Sequence, residues 1–133
     1  MTRVNAGIRP SELCNKHLLA EHREIKRIPN IIKSGKADLS NIPQEFTLGR
    51  GHVKFFYDKL LYLKKRYMEI YRESRRRGFE VTWYGDSFDL LPADLCNDWD
   101  DTSARSILAA RINEKLMKMK LSEEIRTAHY LNV

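Results

Sequence analysis

Residue 2 is a threonine, small enough for Met1 to be removed ahead of it, and an α-amino group has a pKa of about 7.7–8.0. Its neutral fraction near physiological pH makes such an amine a candidate nucleophile, with less tuning than a lysine needs. Lys16, Arg23 and Arg27 stand at i, i+7 and i+11, which puts three cations on one face of a helix, and Glu24 adjoins them seven residues after His17. Cations so placed can hold phosphates while the carboxylate transfers protons or stabilises positive charge developing on a sugar. The same spacing also describes a surface Arg/Glu network of little energetic weight. Arg111, Lys115 and Lys118 form a second cationic row at i, i+4 and i+7. Together with Arg3 the two rows could line one groove, although spacing alone does not make them converge.

Other chemistries find little support. His17, His22, His52 and His129 form no HExxH, and the step from His17 to His22 misses the i, i+4 spacing of a helical metal pair, so neither a metal nor another cofactor is expected. No P-loop, GxGxxG or GxSxG is present. His52, after Leu48-Gly49-Arg50-Gly51, is a lone loop histidine, a setting more often structural than catalytic. Cys14 and Cys96 form no CxxC pair and are expected to be two buried thiols.

Three stretches of helical periodicity must position these residues, and none alternates with period 2, so the expected class is all-α, three main helices with irregular connections. The first runs from Ser11, read as the N-cap, towards Lys33, with Leu18, Ile25, Ile28 and Ile32 on one stripe and a kink near Ile28 caused by Pro29. The second, about Lys54 to Arg77, aligns Phe56, Leu60, Leu63, Tyr67 and Ile70 and ends at Gly78. The third starts in Asp101-Thr102-Ser103 and runs to about Lys120, burying Leu108, Ile112, Leu116 and Met119. Gly49 and Gly51 in the first link suggest positive φ or close backbone approach. Phe79 to Trp99 reads as an irregular, acidic and aromatic covering segment.

At 133 residues, 42% hydrophobic and 32% charged, the chain is expected to fold as one domain over residues 1–133, a composition that excludes collagen-like and fully disordered classes. No apolar run approaches the roughly 18 residues of a membrane span, and MTRVNAGIRP has no signal-peptide core, so a cytoplasmic protein is expected. The net charge of +6 is uneven: residues 1–78 hold 18 Lys and Arg against 8 Asp and Glu, whereas residues 79–103 hold none against 7. A basic body with one acidic stretch suits a protein that meets a polyanion on one side only.

The residues that carry the chemistry also carry a family resemblance. They are Met1-Thr2-Arg3-Val4-Asn5; Ser11-Glu12-Leu13 with His17-Leu18 and Ala20-Glu21-His22-Arg23-Glu24; Arg27; Leu48-Gly49 with Gly51-His52-Val53; Phe55-Phe56-Tyr57-Asp58-Lys59-Leu60; and Ala110-Arg111 with Glu114-Lys115. In this order, from residue 2 to about 115, the chain resembles the bacteriophage-type pyrimidine-dimer DNA glycosylases with AP lyase activity, the UV-repair endonuclease V family. The resemblance implies a compact three-helix fold and a monomer acting on damaged double-stranded DNA. It implies that the Thr2 amine attacks C1′ of the damaged nucleotide, that an imine to the opened sugar follows, and that β-elimination cuts the strand with Glu24 assisting. Arg3, Arg23, Arg27, Arg111 and Lys115 match phosphate-contacting and DNA-bending cations, and His17 a residue at the edge of the active site. The rival reading is a protein of the same fold that binds bent or damaged DNA without chemistry.

Two departures bear on specificity. The family's C-terminal aromatic-basic run of the Trp-Tyr-Lys-Tyr-Tyr type, linked to dimer recognition, is replaced by Lys120-Leu-Ser-Glu-Glu-Ile-Arg-Thr-Ala-His-Tyr130. Unless Trp83, Tyr84 or Trp99 takes over its stacking, abasic sites should be cut well and dimers discriminated less sharply. The loop after Asn5, Ala6 to Pro10, is one residue longer than the family's, and Lys16 stands where glutamine is common.

Overall fold

The computed structural model describes residues 2–121, and the side chains among them up to residue 111. Five α-helices follow in order: α1 (Asn15–Glu24), α2 (Arg27–Lys33), α3 (His52–Phe55), α4 (Leu60–Arg76) and α5 (Thr102–Leu121). Single 3-10 turns sit at Pro10–Glu12, Phe56–Asp58, Gly85–Phe88 and Ala93–Leu95. The described residues contain no strand, only one isolated bridge between Lys59 and Cys96. The chain is therefore all-α, and no described helix is long and apolar enough to cross a membrane.

The first helical stretch divides in two, and its start and break both differ from expectation. Ser11 falls in a 3-10 turn opened by Pro10, Glu12 turns back to accept from the Arg9 N–H at 3.2 Å, and α1 begins only after an extended Cys14. The break falls at Ile25-Lys26, upstream of Ile28. Proline lacks an N–H and its ring clashes with the carbonyl four residues back, here that of Ile25. Starting a new helix at Arg27 places Pro29 in a first turn, where a missing N–H costs nothing. The second stretch also divides: α3 enters from Gly51 at φ 88°, and Lys59 at φ −127° separates the following 3-10 turn from α4. Gly78 at φ 91° ends α4 as expected, with the Phe79 N–H on the Ser74 carbonyl at 3.0 Å and the Gly78 N–H on that of Arg75 at 2.9 Å.

Leu18 of α1 and Ile25 at its C-cap bury with Leu60, Leu63, Tyr67 and Ile70 of α4, joined by Ile28, Phe55, Phe56, Phe88 and Leu108. Ile112, Leu116 and Met119, expected in this core, have side chains outside those described. The N-terminal segment is itself core: Val4, Ala6 and Ile8 are fully buried. Cys14 and Cys96 are only partly buried and unpaired. The acidic segment is irregular as read, with two 3-10 turns.

Gly7 lets the N-terminal segment run against the start of α5. It sits at φ +80°, and a Cβ there would lie 2.7 Å from both the Arg105 nitrogen and the Asp101 carbonyl oxygen. Its N–H meets Asp101 Oδ2 at 3.0 Å, an oxygen that also accepts from the Tyr62 hydroxyl at 2.6 Å. Gly7→Ala combines left-handed strain with a backbone clash and should cost about 2–4 kcal/mol in urea unfolding. Gly78→Ala, with nothing within 4 Å of its added Cβ, should cost only about 1–2 kcal/mol; equal losses would show that the approach to α5 is not tight.

Candidate functional site

The N-terminal segment pairs with no strand, so each buried polar group of its backbone needs another partner. The Val4 N–H donates to His52 Nε2 at 3.0 Å, while His52 Nδ1 lies 2.8 Å from the Thr47 carbonyl. Those two partners select the neutral tautomer protonated at Nδ1. Next along, the Asn5 N–H and side-chain amide both donate to Glu21 Oε1, at 3.2 and 2.8 Å. Glu21 is held in turn by Arg66, whose Nε binds Oε2 and whose Nη2 binds Oε1 at 3.0 Å, and Arg66 Nη1 reaches the Ile8 carbonyl at 2.9 Å. Burial disfavours the Arg66 charge, but Glu21 more than offsets it and raises its pKa. Glu21 and Arg66 are both buried.

Around this anchor stand the residues singled out by the sequence. Thr2 is buried, three residues from Asn5; an extended chain rises about 3.3 Å per residue, so Thr2 lies within about 10 Å of the Glu21-bound residue. Glu24 follows Glu21 by three residues and shares its flank of α1, as does half-buried His17. The Glu24 side chain is 16% exposed, and Arg23 Nη2 lies 3.7 Å from its carboxylate. Arg23 and Arg27 are exposed.

Arg3 and Arg111 converge. Burial and then the charge of Arg111 lower the pKa of Arg3, which places the N-terminal segment and α5 in one electrostatic neighbourhood. Arg3 Nε is, among the described residues, the buried side-chain nitrogen or oxygen left without a hydrogen bond. A half-buried guanidinium with an unsatisfied nitrogen beside a second cation is a place for an anion. Arg111 is exposed; Lys115 lies on α5, but its side chain is outside those described.

The aromatic residues of the acidic segment lie elsewhere. Trp99 packs into the core against Phe55, Phe56 and Tyr62. Tyr84 packs on His22, with ring centroids 5.1 Å apart, and Trp83 lies against Tyr67 and Tyr71. His22 and Glu24 are two residues apart, about 160° around the helix by the shorter way. Tyr84 therefore occupies the flank of α1 away from Glu24, and Trp83 lies on the α4 tyrosines.

Asn5, Glu21, His52 and Arg66 were not singled out for the site from the sequence, and His52 is, as its loop setting suggested, a structural hydrogen-bonder. Glu21 and Arg66 did leave a signal: each interrupts an apolar stripe, Glu21 between Leu18 and Ile25, Arg66 between Leu63 and Ile70. Opposite charges on two facing stripes mark a buried pair. Taken together, the arrangement is a buried Thr2 on an N-terminal segment anchored to α1 through Asn5, a carboxylate on the same flank of α1 as that anchor, and cations able to meet an anion.

A family model described as pyrimidine dimer DNA glycosylase matches residues 1–83. That stretch contains the anchored segment, α1, His52 and Arg66, and stops before α5.

Burial lowers both His22 and His52 below the usual 6.5, helped by Lys26 for His22 and by Arg3 for His52. Their unfolded forms therefore take up protons first, and the stability they contribute is present above about pH 6.5 and lost as pH falls through their lower folded values. Glu12, held at about 2 chiefly by Arg105, and Glu73, held at about 2 chiefly by Arg76, contribute stability that is lost only at lower pH. Thermal melts should show a first fall in Tm as pH drops below about 6.5, ahead of the carboxylate loss. A Tm constant down to about pH 4.5 would mean that neither histidine is buried neutral.

Proposed function

As a member of the pyrimidine dimer DNA glycosylase family, the chain is one for which we propose glycosylase and AP lyase activity on damaged duplex DNA, with the Thr2 amine as nucleophile. With Met1 removed, the amine attacks C1′ of the damaged nucleotide and the base leaves with the electron pair of its glycosidic bond. The resulting imine on the opened sugar makes the C2′ proton acidic; its removal breaks the C3′–O bond and releases the 3′ phosphate. Glu24 moves protons in imine formation and in elimination. The observation that carries this reading is the anchoring of the N-terminal segment in the core beside the flank of α1 that bears Glu24. An unbound N-terminus would have to be ordered at each encounter, whereas a fixed one presents its amine in one place. Arg3, Arg23, Arg27, Arg111 and Lys115 hold phosphates on either side of the distorted step, and His17 borders the site.

Borohydride added to the N-terminally processed protein on an AP-site duplex should trap a covalent adduct that peptide mapping places on Thr2. Glu24→Gln should lower strand cleavage by about 100-fold or more and leave DNA binding nearly unchanged, because proton transfer is lost while no attraction to phosphate is. An adduct on an internal lysine, or binding without any adduct, would refute the nucleophile, and the second outcome would favour a DNA-binding protein without chemistry.

Binding should also depend steeply on salt. Five phosphates neutralised by the five cations give a slope of log affinity against log salt of about −4.5. A slope near zero on a short duplex would show that the cations of α1, α5 and the N-terminal segment do not share one DNA surface.

A further inference from the structure

His52 belongs to no step described so far. It is 2% exposed, lies beyond the reach of a duplex, and packs between the Phe46 and Phe56 rings, 5.4 Å from each centroid to centroid. Its Nδ1 is committed to the Thr47 carbonyl at 2.8 Å, and its Nε2 is the acceptor for the Val4 N–H at 3.0 Å. Val4 is two residues from the proposed nucleophile. The Asn5 contacts to Glu21 fix the segment one residue further away, so His52 holds the last backbone hydrogen bond that the structure gives before Thr2. The charged groups facing the ring are Arg3 from the N-terminal segment and Glu21 from α1.

We propose that His52 is a positioning residue for the N-terminal amine: neutral, it accepts the Val4 N–H and fixes Thr2, and protonated, it releases the segment. A proton on Nε2 would set two N–H donors against each other and remove the acceptor, leaving the Val4 N–H buried and unsatisfied. Burial and Arg3 oppose that proton, while Thr47 and Glu21 favour it, with a net shift downward. The bond is therefore intact at neutral pH and is lost in acid. A loosened segment leaves Arg23, Arg27, Arg111 and Lys115 to hold DNA and puts only the Arg3 contact at stake, so the main effect falls on the chemical step. This proposal rests on Thr2 being the nucleophile.

The test uses the processed full chain with His52→Phe, which keeps the ring packing and loses the acceptor, and His52→Gln, which keeps an acceptor that does not titrate. On an AP-site duplex, His52→Phe should form the borohydride-trapped adduct about 10- to 100-fold more slowly at saturating duplex, with duplex affinity reduced far less than the trapping rate. Hydrogen exchange should show the Val4 amide losing protection in that variant. The Thr2 amine alone gives the log rate an acid limb of slope about one; in the wild type, His52 should add a second limb that His52→Gln lacks. Where His52→Phe does not fold, the His52→Gln pH profile and the wild-type Val4 amide shift on acid titration decide. Wild-type trapping rates in His52→Phe, an unchanged Val4 amide, or a second limb surviving in His52→Gln would each overturn the proposal. A wild type that traps no adduct on Thr2 overturns the nucleophile and this proposal with it. That outcome is separate from failure of His52 alone, in which the wild type traps normally and the variants match it.

Discussion

The fold depends on a buried ion pair. Removing a carboxylate and a guanidinium from water costs several kcal/mol per ion, an expense offset only if the pair is close and its remaining hydrogen-bonding positions are filled. Between α1 and α4, Glu21 and Arg66 meet through two hydrogen bonds, and the N-terminal segment supplies the rest: the Asn5 N–H and amide on Glu21, the Ile8 carbonyl on Arg66. The dependence runs both ways. A buried extended segment with no neighbouring strand must find side-chain partners for its backbone, and it finds them in Glu21, Arg66, His52, Asp101 and Arg105. These partners come from α1, α3, α4 and the start of α5, so the segment that bears residue 2 is where the helices meet.

Charge is sorted by the same architecture. Glu12 takes two hydrogen bonds from Arg105, Glu73 takes them from Arg76 and Arg77, and Asp98 pairs with Lys65. Those cations are paired within the protein. Arg3 and Arg111 instead repel one another, and Arg23 meets Glu24 only at 3.7 Å. Among the described residues, positive charge is thus left without a close carboxylate at Arg3, next to the charge of Arg111, where an anion would relieve it.

Much of this was legible because periodicity reports burial. Leu18, Ile25, Leu63, Tyr67 and Ile70 lie on the stripes that spacing marks out, and Gly49, Gly51 and Gly78 take the positive φ expected of them. Motif spacing likewise put Glu24 beside cations. What spacing could not show is how irregular chain threads between helices. Residues 2–8 have no period, so their burial and their side-chain partners 16 to 98 residues away leave no local trace. Helix limits failed for a related reason: Ser11 has the chemistry of an N-cap, but Pro10 and the demand of Arg105 for Glu12 settle that turn otherwise.

The arrangement also sets what the free protein tolerates for the sake of its ligand. An unsatisfied buried polar nitrogen costs about 1–3 kcal/mol, and Arg3 Nε is such an atom, next to a like charge on Arg111. Neither cost stabilises the fold, and both would be relieved by one phosphate seated against the two guanidiniums. Arg3 follows Thr2 directly, and Val4 and Asn5 are already tied to His52 and Glu21. A phosphate at Arg3 would therefore satisfy the buried nitrogen left open among the described residues, on the side of the segment that bears Thr2. In the proposed reaction, binding of the damaged strand and final placement of the nucleophile are then coupled, because the adjacent residues Arg3 and Thr2 of one anchored segment serve the two.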